Sequence, residues 1–162
     1  MSIAHRWSAT AVVGVVAVVM MLSGCTGVPA DVDGTLRDVQ GGDLRVGITH
    51  NPPWTDTTDP DKPSGQEVRL VQQFADSIDA AVVWTVGSEA ILTDQIHAGS
   101  LDLAIGGFTE DTPWTDKAAL TVPYDAEQVD GTTKKHVMFT VLGENRFLTT
   151  LETFLLEHGD DK

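Results

Sequence analysis

The chain has 162 residues, enough for one domain with a substantial core and too few for two comfortable domains. Its composition, 41% hydrophobic and 21% charged, is that of an ordinary soluble globular protein. The net charge of -14 comes from acidic residues spread along the chain, and such a surface repels nucleic acid and anionic lipid headgroups. The acidity is typical of a solvated surface, although it would also favour a cationic ligand.

The amino-terminal segment has the pattern of a secretion signal. Residues 9–22 are almost wholly apolar and follow Arg6. This run is shorter than the roughly 20 residues of a comfortable membrane span, as is typical of a signal peptide. It ends in Leu-Ser-Gly-Cys, which resembles the lipobox of bacterial lipoproteins, with Cys25 as the lipidated residue. The alternatives are an ordinary signal peptide with an incidental cysteine, or a short buried helix.

We therefore expect residues 1–24 to be a lipoprotein signal peptide and Cys25 to carry a lipid anchor on the extracytoplasmic face of the cell membrane. Residues 25–42 are rich in Gly, Asp and small side chains without apolar periodicity, which predicts a flexible tether. Residues 43–158 remain as the folded lobe. Cys25 is the single cysteine, which excludes an internal disulfide.

Strand and helix patterns alternate along the folded part. Short apolar or β-branched runs predict strands at 44–48, 80–86, 101–105 and 136–142. Three helices are expected: one after Ser64, one between Ser88 and Gly99, and one with an apolar face within 147–155. Residues 125–135 read as a polar turn. This alternation with short connections predicts parallel pairing in a three-layer α/β domain.

Two helix starts carry capping signals. Ser64 and Glu67 have the spacing of a capping box, in which the glutamate closes the first turn of the helix. On this pattern Glu67 is interpreted as a helix cap in preference to a ligand contact. Ser88 is a fitting N-cap for the next helix.

The stretch 101–124 predicts a binding edge. A buried strand runs into Gly106 and Gly107, and a polar and aromatic loop follows at residues 108–114. In open α/β sheets, ligands bind at the carboxyl ends of the strands.

Four motifs, in their order and spacing, resemble the extracellular solute-binding proteins of family 3, the polar amino acid receptors of ABC importers. They are LRVGITHNPPW at 44–54, GQEVRL at 65–70, GSLDLAI at 99–105 and LTVPY at 120–124. The resemblance implies a periplasmic-binding-protein-like fold of type II, as a single lobe. We expect a mostly parallel sheet with helices on both faces.

The sequence departs from the family at two places. Trp114 stands where the family has an arginine that clamps the ligand's α-carboxylate, and such a clamp needs the planar fork of Arg. The family's second lobe should follow Tyr124, where this chain has only the polar segment 125–135. We therefore expect a binding edge whose ligand has changed.

The resemblance implies five ligand-binding residues, which are Trp54, Gly107, Phe108, Thr109 and Trp114. Other interpretations stay open at three of them. Trp54 is also explained as a loop residue that shields the sheet edge, Gly107 as part of a tight turn, and Trp114 as cover for a hydrophobic partner surface.

The residues indicate binding in preference to catalysis. The five histidines show no metal-ligand spacing, and neither a catalytic triad order nor a phosphate-binding glycine loop is present. We expect no enzyme activity, no cofactor and no metal. The resemblance implies a lipid-anchored receptor of an ABC-type importer, which binds a small polar or amino-acid-like solute and works with a membrane permease. The alternative is an accessory or sensor module that docks on a transporter or other membrane complex without binding solute.

Replacement of Cys25 with Ala tests the anchor. Since the lipid would be attached to this thiol, the variant should move from the membrane fraction to the soluble fraction. The measurement is fractionation of cells that express the wild type and the variant. A variant that stays with the membranes would show that Cys25 is not the anchor.

Overall fold

A computed structural model describes residues 29–159, so the predicted signal peptide and Cys25 lie outside the described part. The helices are α1 (Thr35–Val39), α2 (Gln66–Ser77), α3 (Glu89–His97) and α4 (Asn145–His158). The strands are β1 (Asp43–Ile48), β2 (Ala81–Val86), β3 (Leu103–Ile105), β4 (Ala119–Leu120), β5 (Asp125–Val129), β6 (Thr132–His136) and β7 (Phe139–Thr140).

The main sheet has the strand order β2-β1-β3-β7-β4. Its two longest ladders, β1 with β2 and β1 with β3, are parallel, and the short strand β7 runs antiparallel to β3 and β4. Strand β1 lies inside the sheet, between β2 and β3, and its apolar residues Leu44, Val46 and Ile48 are fully buried. The predicted fold class is confirmed: this is an α/β domain with a mostly parallel sheet.

Helices cover both faces of this sheet. On one face, α1, α2 and α4 pack over β1 and β3, where the rings of Phe147 and Phe154 approach that of Phe74 at centroid distances of 5.9 and 5.5 Å. On the other face, Leu92 and Ile96 of α3 form a second, smaller core. Successive residues of β3 alternate between the two cores, as a pleated strand requires.

Asp102 fixes the register between β1 and β3. Its buried carboxylate accepts hydrogen bonds from the backbone amide of Arg45 (2.8 Å) and from the Arg45 guanidinium (2.5 and 3.0 Å). The Asp102 amide in turn donates to the carbonyl of Arg45 at 2.9 Å. The Gly-x-x-Asp motif before β3 thus holds the strand that leads to the predicted binding edge.

The helix ends agree partly with their predicted signals. Ser88 is the N-cap residue of α3 but makes no side-chain capping bond. Gly99 follows the end of α3 with a φ of 68°, the left-handed conformation that was predicted there.

The segment after Tyr124 differs from its prediction as a polar turn. Residues 125–136 form a β-hairpin, in which five residue pairs join β5 to β6. Asp130 and Gly131 close it with φ of 49° and 77°, the conformation of a type I′ turn. The predicted strand at 136–142 is correspondingly shorter, because His136 belongs to the hairpin and β7 spans Phe139–Thr140.

The tether predicted at 25–42 is wrong for its second half. Helix α1 lies within it, and Leu36 and Val39 are buried in the larger core. Two acidic side chains join this segment to α4. Asp31 accepts hydrogen bonds from the amides of Leu36, Arg146 and Phe147 at 2.6 to 2.9 Å, and the carboxylate of Glu144 accepts from those of Asp33 and Thr35 at 2.7 Å. The folded domain therefore begins before residue 43.

Within residues 29–159, no helix combines the length and apolar character that a membrane crossing requires.

Replacing Asp31 with Ala tests whether the amino-terminal segment belongs to the fold. The variant leaves amide donors of α1 and α4 without their carboxylate acceptor, and we expect the free energy of unfolding to fall by about 1–3 kcal/mol. The measurement is urea unfolding of the full chain in detergent. Asp33→Ala is the matched control, because the Asp33 side chain is exposed and makes no hydrogen bond among the described residues. Equal urea midpoints for the Asp31 and Asp33 variants would show that the Asp31 contacts do not stabilise the fold.

Candidate functional site

A cleft of about 410 Å³ opens at the carboxyl ends of the parallel strands β1 and β3. Three segments line it: residues 49–51 after β1, the loop 106–113 after β3, and Glu89 at the start of α3. This is the predicted binding edge, and the physical reason is the topology, since the ends of neighbouring parallel strands meet there. Of the predicted ligand-binding residues, Gly107, Phe108 and Thr109 line the cleft.

The glycine pair forms the floor of the cleft. A side chain at Gly106 would place its Cβ 2.0 Å from the methyl carbon of Thr49. At Gly107, where φ is 66°, a Cβ would lie 2.6 Å from both Asn51 Nδ2 and the Trp54 ring. The Asn51 amide also donates to the Gly106 carbonyl at 2.8 Å. The groups that pack against the two glycines are therefore side chains of this protein, which supports the interpretation of Gly107 as part of a tight turn.

Glu67 lies beneath this floor and is fully buried. Its Oε2 accepts a hydrogen bond from the Gly107 amide at 2.9 Å, and its Oε1 accepts one from the hydroxyl of Tyr124. The predicted capping box is wrong, because the N-cap of α2 is Gly65 and no side chain caps the helix. With the helix beginning at Gln66, Glu67 is its second residue, and its carboxyl group turns inward instead of closing the first turn.

The environment of Glu67 changes its acidity. Burial raises its pKa to about 7, although hydrogen bonds from Tyr124 and from the amides of Gly106 and Gly107 act in the opposite direction. Burial and the adjacent Glu67 raise the pKa of Tyr124 well above its usual value, so the phenol keeps its proton. A carboxyl group that titrates near neutrality therefore supports the cleft floor.

The rings of Trp54 and Phe108 belong to the core. Trp54 is 7% exposed and packs on His136 with ring centroids 3.8 Å apart. Phe108 is 5% exposed and stacks on Phe139 at 4.3 Å. Their faces are thus taken up by protein contacts in this conformation. The Trp54 ring also lies against Gly107, and Phe108 borders the cleft.

Trp114 is half-buried and lies outside the cleft lining. Its indole N–H donates to Oε1 of Glu89 at 2.8 Å, and the ammonium group of Lys117 lies 5.4 Å from its ring centre. Lys117 in turn binds Asp94 on α3 at 2.7 Å. The residue at the family's arginine position therefore fastens the loop to α3.

Carboxylates dominate the charge of the lining. Glu89 and Asp111 face the cleft, and no Lys or Arg is among the described residues that line it. Asp111 accepts hydrogen bonds from the Thr109 hydroxyl and, at 2.5 Å, from Lys134, which lower its pKa to about 2. Lys134 belongs to the hairpin, so it reaches Asp111 from the rim.

Sequence reasoning missed Asn51 and Glu89 as parts of the site. The signal for Glu89 was its position, because it follows a parallel strand at the edge where β1 and β3 also end. No group of three or more His, Cys, Asp or Glu side chains within residues 29–159 is arranged to hold a metal ion.

Solved structures of solute-binding proteins share this fold. The arginine-bound form of domain 1 of TmArgBP superposes with a TM-score of 0.64 at 19% identity, over 72% of this chain and 93% of that one. An ancestral cationic amino acid solute-binding protein gives 0.69 at 12% identity, over 79% and 95%. A substrate-binding protein of an ABC uptake transporter from Streptococcus pneumoniae, with bound histidine, gives 0.63 at 7% identity, over 74% and 87%.

At these identities the likeness establishes the fold, which is that of one lobe of a solute-binding protein, as the motifs predicted. No protein-family model matches the chain, and neither does any curated protein.

Replacing Glu67 with Gln tests the buried carboxyl group. A pKa raised from 4.5 to about 7 stabilises the folded state fully below pH 4.5, and this contribution is lost as the pH rises through 7. The difference in unfolding free energy between the wild type and the variant should therefore change by about 3 kcal/mol across this range. Urea unfolding of both chains at intervals from pH 4.5 to 8 measures it.

Glu110→Gln is the control for this series, because Glu110 is an exposed glutamate of the loop after β3, whose floor Glu67 supports. The difference in unfolding free energy between the Glu110 variant and the wild type should vary little over the same pH range. Parallel stability curves for the wild type and the Glu67 variant would contradict the assignment.

Proposed function

We propose that this protein is a lipid-anchored solute receptor of an ABC-type importer and that it binds a small polar or amino-acid-like solute in the cleft above Gly106 and Gly107. The observation that carries the proposal is the cleft itself. It lies at the carboxyl ends of two parallel strands, where α/β domains bind ligands, and three of the residues that the family resemblance implied line it.

The fold neighbours support a binding role for a single lobe. One of them is domain 1 of TmArgBP by itself, in an arginine-bound form, and the present chain covers 93% of it. Another belongs to an ABC uptake transporter and holds histidine. An isolated lobe of this fold thus holds a solute in at least one relative, which makes the same role reasonable for this chain.

The proposed location follows from the leader sequence. Signal peptide, Cys25 anchor and folded lobe would place the cleft on the extracytoplasmic side of the membrane, close to a permease. An anchored receptor delivers solute without diffusing away. The cleft is formed by a single lobe, so we expect rapid exchange and weaker binding than between two closing lobes.

The alternative is a module that docks on a transporter or another membrane complex and binds no solute. One feature favours it specifically. In the resembled family a second lobe would follow Tyr124, but here residues 125–136 form the hairpin β5–β6. Among the described residues, this segment therefore provides no lid over the cleft. The two functions differ in their response to solutes.

A thermal-shift series on the full chain in detergent tests solute binding. A solute that binds only the native state raises the melting temperature, by an amount that grows with its concentration. Amino acids, polyamines and small cations are the probes, and at least one should raise the melting temperature. No shift with any of them, together with capture of one defined permease in a pull-down, would contradict solute binding and favour the docking module.

Gly107→Ala should abolish the shift, because its Cβ would clash with Asn51 and Trp54 at the cleft floor. Gly131→Ala is the matched control. Gly131 also has a positive φ, of 77°, but lies at the hairpin turn with no atom within 4 Å of its added Cβ. Both variants carry a backbone cost of about 1 kcal/mol, so Gly131→Ala controls for that cost, and the clash at the cleft floor is the further change in Gly107→Ala. Equal responses would count against the cleft as the binding site.

A further inference from the structure

We propose that the cleft selects a small organic cation, an amine or guanidinium compound, and that the ligand needs no carboxylate. The inference rests on the proposed solute-binding function and specifies its substrate class. It follows from the hydrogen-bonding capacity of the groups that face the cleft, considered in turn below.

The donors of the two glycines are already used, and no Lys or Arg is among the described residues that line the cleft. The Gly107 amide donates to Glu67 at 2.9 Å, and the Gly106 amide also contributes a hydrogen bond to that carboxyl group. The side-chain amide of Asn51 donates to the Gly106 carbonyl, and the Thr109 hydroxyl donates to Asp111. A carboxylate placed on the floor would therefore meet neither a cationic side chain nor free glycine amides.

One charged acceptor, in contrast, is available. Glu89 uses Oε1 for the indole of Trp114, and its Oε2 has no hydrogen-bond partner among the described residues. This oxygen is suited to receive the N–H groups of a cation, since hydrogen bonds to ionised acceptors are the stronger ones.

Neighbouring charges leave the cleft negative. Asp111 is paired with Lys134, so these two groups nearly cancel, while Glu89 forms no ion pair within residues 29–159. Lys117 is held by Asp94 of α3. His50 lines the cleft, but its Nδ1 lies 3.2 Å from the Thr57 amide and 3.7 Å from Asp56, so this nitrogen is already engaged. The uncompensated charge is that of Glu89.

Isothermal titration calorimetry of the full chain at pH 7.5 with three probes tests the selection. Agmatine carries a guanidinium and an amine without a carboxylate, arginine adds the carboxylate, and glutamate supplies an acidic amino acid. Agmatine should bind at least as tightly as arginine, and glutamate should not bind. Arginine binding ten-fold more tightly than agmatine would overturn the proposal.

Glu89→Gln should weaken agmatine binding by about ten-fold or more, because the charge is lost while the amide oxygen still accepts the Trp114 N–H. One matched variant separates the charge in the cleft from charge on the same helix. Asp94→Asn also removes a carboxylate charge from α3, but Asp94 lies outside the cleft lining. This variant should bind agmatine within about two-fold of the wild type. An unchanged affinity in Glu89→Gln would overturn the assignment.

Failure of this proposal is distinguishable from failure of the receptor function. If glutamate binds and agmatine does not, the receptor function stands and the cation selectivity is wrong. If none of the three probes binds, and the thermal-shift series is also silent, both are wrong.

Discussion

The buried carboxyl group of Glu67 is the interaction on which the cleft depends. It joins the first turn of α2 to the glycine floor and to Tyr124, residues 40 and 57 positions away in the sequence. Removing a carboxyl group from water costs several kcal/mol unless donors surround it. Here the Tyr124 phenol and the amides of Gly106 and Gly107 are these donors. The remaining cost of burial raises the pKa of Glu67 to about 7. The loop after β3 is thereby fixed by a group that the solvent cannot reach.

Fixing the floor in this way determines what the cleft can recognise. The glycine amides that would bind an anion are directed down to Glu67, and the position that holds an arginine in the resembled family is occupied by Trp114, which fastens the loop to α3. The oxygen of Glu89 that the Trp114 indole leaves unused lines the cleft. In the function that we propose, these contacts would favour a cationic donor as the ligand.

Local patterns in the sequence predicted the layers of helices and sheet, but they could not predict contacts between residues that are far apart in the sequence. Strands β1, β2 and β3, the αL turn at Gly99 and the apolar face of α4 follow from periodicity and turn chemistry within a few residues. Helix α1 was missed because five residues with two buried side chains, Leu36 and Val39, show no helical period. The Asp130-Gly131 pair did carry a hairpin signal. The role of Glu67 was not predictable locally, because its partners come from two other segments.

The hairpin holds the loop after β3 from within the domain. Strand β6 pairs with β5 on one side, and on the other it exchanges backbone hydrogen bonds with the loop: the Glu110 amide donates to the Lys135 carbonyl at 3.0 Å, and the Val137 amide to that of Phe108 at 2.9 Å. The ion pairs of Lys134 and Lys135 with this loop are exposed, so each contributes little. The backbone ladder therefore carries the constraint. Because the rim is held from within the domain, a partner that met the cleft would cover the ligand but would not be needed to shape its site.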